Sequence, residues 1–277
     1  MRGIVIEKNA NLFTVLAGEQ TFFLSPSGKT KENGIFVGDE VEFENSITSI
    51  YPRKNLLIRP PMANLDKIFI VVSPIPKSDF VLVDKIIVYC FVKGIVPVLV
   101  INKMDIADED FVYEIEKSYN FLKILKISAK NGVVSPLKEE ISGICAFAGQ
   151  SAVGKSSLIN ALLGDERAEV GHLSKKIQRG KQTTRIVKLY AMENGLLADT
   201  AGFSMLDLSL TCDLKKEELA SYYPDFLQGR GECKYRSCLH KNGDCGVRAR
   251  LEKGEISSLR YQNYLKILEE IEKFKRF

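Results

Sequence analysis

The 277-residue chain, 45% hydrophobic, has material for two or three domains with cores of their own. No apolar run approaches the ~18 residues of a membrane span, and Met1-Arg2-Gly3-Ile4-Val5-Ile6-Glu7 lacks the apolar stretch of a secretory signal, so a cytoplasmic protein that does not engage a membrane is expected. A net charge of +4 permits contact with nucleic acid without establishing it.

Residues 1–62 alternate short β-rich runs with turn signals. Gly3-Ile4-Val5-Ile6, Leu12 to Leu16, Thr21 to Leu24, Asp39 to Phe43 and Ile47 to Ile50 are punctuated by Gly18, Pro26-Ser27-Gly28, Asn33-Gly34 and Gly38. Five strands at this spacing suggest a small barrel of the oligonucleotide-binding type. Whether it touches RNA or serves only as a structural appendage stays open. Arg53, Lys54 and Arg59 beside Pro52 and Pro60-Pro61 read as a linker that also reaches phosphate.

Residues 63–208 switch to alternating strand and helix. Lys67 to Val72, Val96 to Ile101 and Leu122 to Ile127 read as strands, the first two continuous apolar runs of the kind buried on both faces. Phe80 to Val92 and Glu109 to Tyr119 read as helices, and Pro136 to Ile141 as a short one. A parallel, doubly wound sheet follows, with ligands at the carboxyl ends of its strands.

Three loops fall at those ends. Asn102-Lys103-Met104-Asp105 follows the second strand: the Asp105 carboxylate accepts two hydrogen bonds from the N1–H and exocyclic amine of guanine, a donor pair that adenine lacks. Lys103 lies along the base face in this reading, and Asn102 braces the loop. Ser128-Ala129-Lys130 follows the third strand, with a backbone N–H near Ala129 for the guanine carbonyl and Lys130 over the other face. The strand Ile144 to Ala148 ends in Gly149-Gln150-Ser151-Ala152-Val153-Gly154-Lys155-Ser156, a G-x-x-x-x-G-K-S phosphate loop, before a helix from Ser157. Its N–H groups cradle phosphates, Lys155 reaches the β and γ oxygens, and the Ser156 hydroxyl takes a Mg²⁺ position.

The basic stretch 165–184 is expected to place a Mg²⁺-binding hydroxyl near the γ-phosphate, with Thr184 preferred over Thr183. Strands over Arg185 to Ala191 and Leu196 to Ala198 lead to Asp199-Thr200-Ala201-Gly202. There Asp199 holds Mg²⁺ through water and the Gly202 N–H senses the γ-phosphate. Guanine motifs preceding the phosphate loop make a circularly permuted GTPase order. The loop after Gly202 then runs directly into the C-terminal region.

In residues 209–277, Cys233, Cys238, His240 and Cys245 supply three thiolates and an imidazole, the set of a closed structural zinc site. Cys90, Cys145 and Cys212 are scattered and read as buried small hydrophobes. Lys234, Arg236, Lys241, Arg248 and Arg250 form a basic neighbourhood for RNA phosphate, diluted by Glu232, Asp244 and Glu252. Glu255 to Phe277 reads as an amphipathic helix packed on the zinc module or on RNA.

Taken together, the motifs at 102–105, 149–156, 180–184 and 199–202 and the cysteine cluster resemble the bacterial ribosome-small-subunit-dependent GTPases, and the resemblance spans nearly the whole chain. It implies a multidomain α/β protein: an oligonucleotide-binding barrel, a circularly permuted P-loop GTPase domain and a zinc-binding helical domain. GTP or GDP with Mg²⁺ and one structural Zn²⁺ are the implied cofactors. The small ribosomal subunit and its rRNA are the implied partners, with the protein a monomer that assists late subunit maturation and is stimulated by the subunit. One departure concerns hydrolysis: the family commonly has His two residues before the Mg²⁺ threonine, whereas this chain has Gln182, and His172 does not occupy that place. An amide orients water but does not accept a proton near pH 7. Phe203 also stands where many GTPases place a water-orienting Gln. Catalysis is therefore assigned to Gln182, Lys155 and Thr184. The competing readings are a GTP-dependent RNA-binding switch with little hydrolysis, and an ATP-using enzyme, which Asp105 disfavours.

Overall fold

The computed structural model describes residues 1–31, 34–164, 187–199, 208, 212 and 214–274. Its first five strands are β1 (Arg2–Asn9), β2 (Leu12–Ala17), β3 (Gln20–Leu24), β4 (Glu40–Phe43) and β5 (Ile47–Ile50), with a single helical turn, α1 (Gly28–Lys31), after β3. β1 pairs antiparallel with β2 and β4, β2 with β3, and β4 with β5. A bridge from Pro26 to Ile47 closes the ring. The expected barrel is therefore present, and period-two alternation turns Val5, Phe13, Val15, Val41 and Phe43 into its core.

The expected linker is different. Residues beyond Pro52 form a hairpin of β6 (Leu56–Ile58) and β7 (Pro61–Ala63). Arg53 is not turned to phosphate: its guanidinium donates to both carboxylate oxygens of Asp39, at 2.6 and 2.8 Å, and to the Gly34 carbonyl. The buried Asp39 carboxylate demands that partner. Lys54 pairs with Asp66 at 2.7 Å, and Arg59 is exposed.

The central sheet contains β8 (Lys67–Val72), β9 (Val96–Ile101), β10 (Lys123–Lys126), β11 (Gly143–Ala148), β12 (Lys188–Met192) and β13 (Gly195–Asp199), in the spatial order β10-β9-β8-β11-β13-β12. All pairings are parallel except the antiparallel pair β12–β13. The helices around it are α2 (Phe80–Lys93), α3 (Glu109–Ser118), α4 (Ser135–Glu140) and α5 (Lys155–Leu163). Continuous apolar strands follow from cover on both faces. Ile68, Ile70 and Val72 of β8 join the core containing α2, while Phe69 and Val71 join the one containing Leu158 and Leu162 of α5. From β8 the chain steps outward through β9 and β10, then returns to β11 on the other side of β8. That reversal places a crevice at the carboxyl ends of β8 and β11, the usual ligand position in such sheets. At the far edge, Glu7 of β1 pairs with Lys188 of β12, joining barrel and sheet.

The C-terminal region folds as α6 (Leu227–Gly231), α7 (Gly246–Glu252) and α8 (Ser258–Phe274). α8 begins three residues later than the periodicity suggests, and Ile256 is buried just ahead of it. It packs along α2 and against the cysteine cluster, through a buried polar clasp. Arg260, 1% exposed, pairs with the fully buried Asp84 of α2 and, at 2.8 Å, with Asp225. Asn263 Nδ2 donates to Asp84 at 2.7 Å and to the Phe80 carbonyl at 3.1 Å. Burial disfavours the Arg260 charge, but the Asp84 and Asp225 carboxylates outweigh it and hold its pKa above the ordinary value. Cys90, Cys145 and Cys212 are buried as expected.

Candidate functional site

The phosphate loop can form because two of its residues lack a Cβ. Gly149 has φ +129°, and a Cβ there would lie 2.5 Å from the Val71 carbonyl oxygen of β8. Gly154, which opens α5, has φ +102°, and a Cβ there would lie 2.3 Å from Nδ2 of Asn102. Glycine therefore lets the loop wrap tightly and also lets it touch the guanine-type motif.

That contact is specific. Buried Asn102 donates from Nδ2 to the Val153 carbonyl at 2.9 Å, and its Oδ1 accepts from the Ala129 N–H at 3.2 Å. One amide thus ties together the loops after β9, β10 and β11. Lys103, at φ +62°, donates from Nζ to the carbonyls of Ala152, at 2.9 Å, and Ile75, at 2.6 Å. Asp105 Oδ1 accepts from the Ser128 hydroxyl at 2.7 Å, and Lys130 Nζ lies 3.7 Å from Oδ2. The Ser128 hydrogen bond, ahead of Lys130, holds the Asp105 carboxyl below the usual carboxylate range. Asp105 is therefore an anionic acceptor at neutral pH, the state that reading guanine requires.

Lys155 turns its ammonium to the Gly149 and Gln150 carbonyls at 2.7 and 2.6 Å, and burial pulls its pKa down. Ser151, Ser156 and Ser157 are exposed, with Ser156 in the first turn of α5, where unpaired N–H groups favour an anion. Asp199 ends β13, parallel to β11, so it reaches the same edge of the sheet. Ser156 and Asp199 would hold Mg²⁺, which neutralises phosphate charge when bound. Gln182, Thr183, Thr184, Gly202 and Phe203 lie outside the described residues.

Sequence reasoning missed the loop after β8. The Asp79 N–H donates to Gln150 Oε1 at 2.8 Å, and Ile75 receives Lys103, so this loop forms one wall beside the phosphate loop. No motif marks it. The clasp at Arg260 was also missed, although it left a trace: Asp84 interrupts an otherwise apolar helix face, and a carboxylate there needs a buried partner.

The second site is the cysteine cluster. The ligand atoms of Cys233, Cys238, His240 and Cys245 all lie within 4.8 Å of one another. His240 Nδ1 is 3.5 Å from Cys233 Sγ and 3.3 Å from Cys245 Sγ, so this nitrogen faces the thiols. Burial pulls the His240 pKa down to about 4, keeping a neutral imidazole, and pushes the Cys245 thiol up to about 11. A cation that converts the thiols to thiolates removes that penalty, and three sulfurs with one nitrogen fit tetrahedral Zn²⁺ with no position left for water. The loop is shaped from outside by α8. The Tyr261 hydroxyl donates to the His240 carbonyl at 2.6 Å and the Tyr264 hydroxyl to the Leu239 carbonyl at 3.1 Å, while Phe226 meets the imidazole edge-on.

Comparison with known proteins gives one answer along the chain. Residues 50–209 match the family model described as RsgA GTPase. The chain is 38% identical to the small ribosomal subunit biogenesis GTPase RsgA of Geobacillus sp. (strain WCH70), over 99% of this chain and 98% of that protein. It is 37% identical to the protein of the same name from Thermotoga maritima, over 98% and 96%. Among solved structures, YjeQ from Thermotoga maritima superposes with a TM-score of 0.81 at 34% identity, covering 98% of both chains. YloQ, described as a circularly permuted GTPase, gives 0.80 at 28% identity over 98% of this chain and 95% of that one. With the guanine-type loops preceding a phosphate loop they contact directly, and with full-length relatives on every side, the chain belongs to the RsgA family of circularly permuted GTPases.

Proposed function

We propose that this chain binds GTP and GDP with Mg²⁺ between the loops at 102–105, 128–130 and 149–156, and that hydrolysis there serves assembly of the small ribosomal subunit in the cytoplasm. The observation that carries the reading is Asn102, whose one buried amide links all three loops and so fixes the distance between a base acceptor, Asp105, and a phosphate cradle. Such a pocket prefers guanine because an adenine leaves the Asp105 carboxylate facing no donor pair. The relatives' name supplies the partner, and the closed Cys233-Cys238-His240-Cys245 cluster supports a zinc that shapes a module and takes no part in the reaction.

Within this scheme Lys155 must leave the Gly149 and Gln150 carbonyls for the phosphate oxygens, which replace both hydrogen bonds with charge-assisted ones. Ser156, Thr184 and Asp199 are assigned to Mg²⁺, the last through water, and the Gly202 N–H to the γ-phosphate. Gln182 orients the attacking water. The test is GTP turnover without subunits, with purified small subunits and with purified large subunits: stimulation by the small subunit alone supports the reading, and equal rates in all three arms contradict it. Gln182→Ala should lower the stimulated rate; an unchanged rate removes that residue from the scheme.

A further inference from the structure

The basic neighbourhood expected around the cysteines is mostly neutralised. Lys241 pairs with Glu272 at 2.6 Å, Arg250 with Glu232 at 2.5 Å and Glu255 at 2.7 Å, and Arg248 lies 3.9 Å from Glu252. Lys234 and Arg236 have no carboxylate partner among the described residues, and both are exposed. Between them stands Tyr235, 64% exposed. The four residues Lys234 to Ser237 are bracketed by Cys233 and Cys238, and the Cys238 N–H donates to the Tyr235 carbonyl at 3.2 Å, so the turn is pinned at both ends.

Three aromatic side chains rank among the exposed large hydrophobics of the described residues: Phe23, Tyr113 and Tyr235. Tyr113 lies on α3, where Glu109, Asp110, Glu114 and Glu116 outnumber the one cation, Lys117, so its surroundings are net acidic. Phe23 has no cation over its ring among the described residues, whereas the Lys234 ammonium lies 5.6 Å from the Tyr235 ring centroid. Leaving a tyrosine ring in water at the apex of a short, fixed turn, under one ammonium and beside a guanidinium, does nothing for the core. It does provide a flat apolar face with a cation on either side along the chain.

We propose that Lys234-Tyr235-Arg236 is a docking point for single-stranded RNA, with one unpaired base stacked on the Tyr235 ring and the neighbouring phosphates on Lys234 and Arg236. The chemistry selects this occupant. A base offers a π-face to the ring, its strand offers an anion on each side, and a paired helix hides the base face that a stacking side chain needs. A zinc held by three thiolates would add one net negative charge beneath the turn and Asp244 adds another, which Arg230, Lys234 and Arg236 together outweigh. The proposal rests on the proposed ribosomal role for the origin of the strand, and gives that role a specific contact.

The test uses the full-length protein and its Tyr235→Ala, Tyr235→Phe and Lys234→Ala/Arg236→Ala variants. Each is checked first for bound zinc and for GDP affinity, which should match the parent because the exposed side chains at 234–236 are turned to solvent and the Tyr235 carbonyl that accepts from the Cys238 N–H is kept in every variant. Binding to a labelled single-stranded RNA 12-mer and to purified small subunits is then measured at several salt concentrations. Tyr235→Ala should weaken 12-mer binding by about 5- to 150-fold, the range of one lost stacking contact. Tyr235→Phe should stay within about twofold, since the ring and not the hydroxyl stacks. The double cation variant should flatten the salt dependence by about 1.4 in log–log slope, two single-strand phosphates' worth. Absence of 12-mer binding by the parent, or equal binding by Tyr235→Ala, overturns the proposal. So does loss of subunit binding by Tyr235→Ala with 12-mer binding intact, which would assign the turn to a ribosomal protein. If the parent binds the 12-mer as described but not the subunit, the docking point stands and the ribosomal role falls.

Discussion

The central sheet meets its two neighbours by different means. The barrel is joined largely through main chain: Glu7 on β1 pairs with Lys188 on β12, the Ala63 N–H donates to the Val37 carbonyl, and Gly38 lies against Ala63 so closely that a Cβ would fall 2.1 Å from its carbonyl oxygen. Side chains contribute there through Asn64, which donates to the Gly38 carbonyl, and through the Lys54–Asp66 pair. The module around the cysteine cluster is joined through side chains: Arg260, Asn263, Asp84 and Asp225 form a clasp ringed by Tyr119, Phe121 and Tyr223, each with its ring within 5.3 Å of the Arg260 guanidinium carbon. A main-chain seam tolerates most side-chain changes, whereas a clasp of buried charges is all or nothing. The two junctions should therefore respond oppositely to substitution.

The largest effect is expected at the clasp. Arg260→Met leaves the Asp84 carboxylate uncompensated in a site with no solvent access and should cost about 3–5 kcal/mol of stability by denaturant titration. Adding Asp84→Leu should recover much of that loss, since it removes the second fully buried charge and leaves only the part-exposed Asp225 without its partner. If the single and double variants were equally destabilised, the residues would matter as packing volume and not as charges. Gly38→Ala places a side chain at φ +90° against the Ala63 carbonyl and should cost about 1–3 kcal/mol, because the seam is tightest there. The smallest effect is expected at Lys188→Ala. Its 3.3 Å pair with Glu7 is part-exposed, so the loss should stay below about 1 kcal/mol and shrink further with salt. A loss at Lys188 comparable to that at Arg260 would erase the distinction between the junctions.

The same contrast explains what the sequence revealed. Strands β8, β9 and β11 and helix α2 were legible because continuous apolar runs and a 3.6-residue period follow directly from burial on two faces or one. The phosphate loop, Asp105 and the four zinc-type ligands were legible because their chemistry constrains residue type at fixed spacing. The hairpin β6–β7 was not: Pro60-Pro61 carries a turn signal that suits a linker equally well, and Arg53 looked free because its partner, Asp39, lies fourteen residues back with nothing local to announce it. The clasp spans 176 residues between Asp84 and Arg260, so only the oddity of an acid on an apolar face pointed to it. The loop that carries Ile75 and Asp79 to the pocket contributes main-chain atoms, which residue identity does not encode.

Calorimetric titration of the intact protein with GDP and with ADP, repeated on Asp105→Asn, addresses the pocket most directly. The linked geometry of Asp105, Asn102 and the phosphate loop predicts GDP binding with at least about a hundredfold preference over ADP, and loss of most of that preference in Asp105→Asn while diphosphate affinity as such persists. Equal affinity of the parent for GDP and ADP, or an Asp105→Asn variant with its preference intact, would contradict a guanine pocket at this crevice.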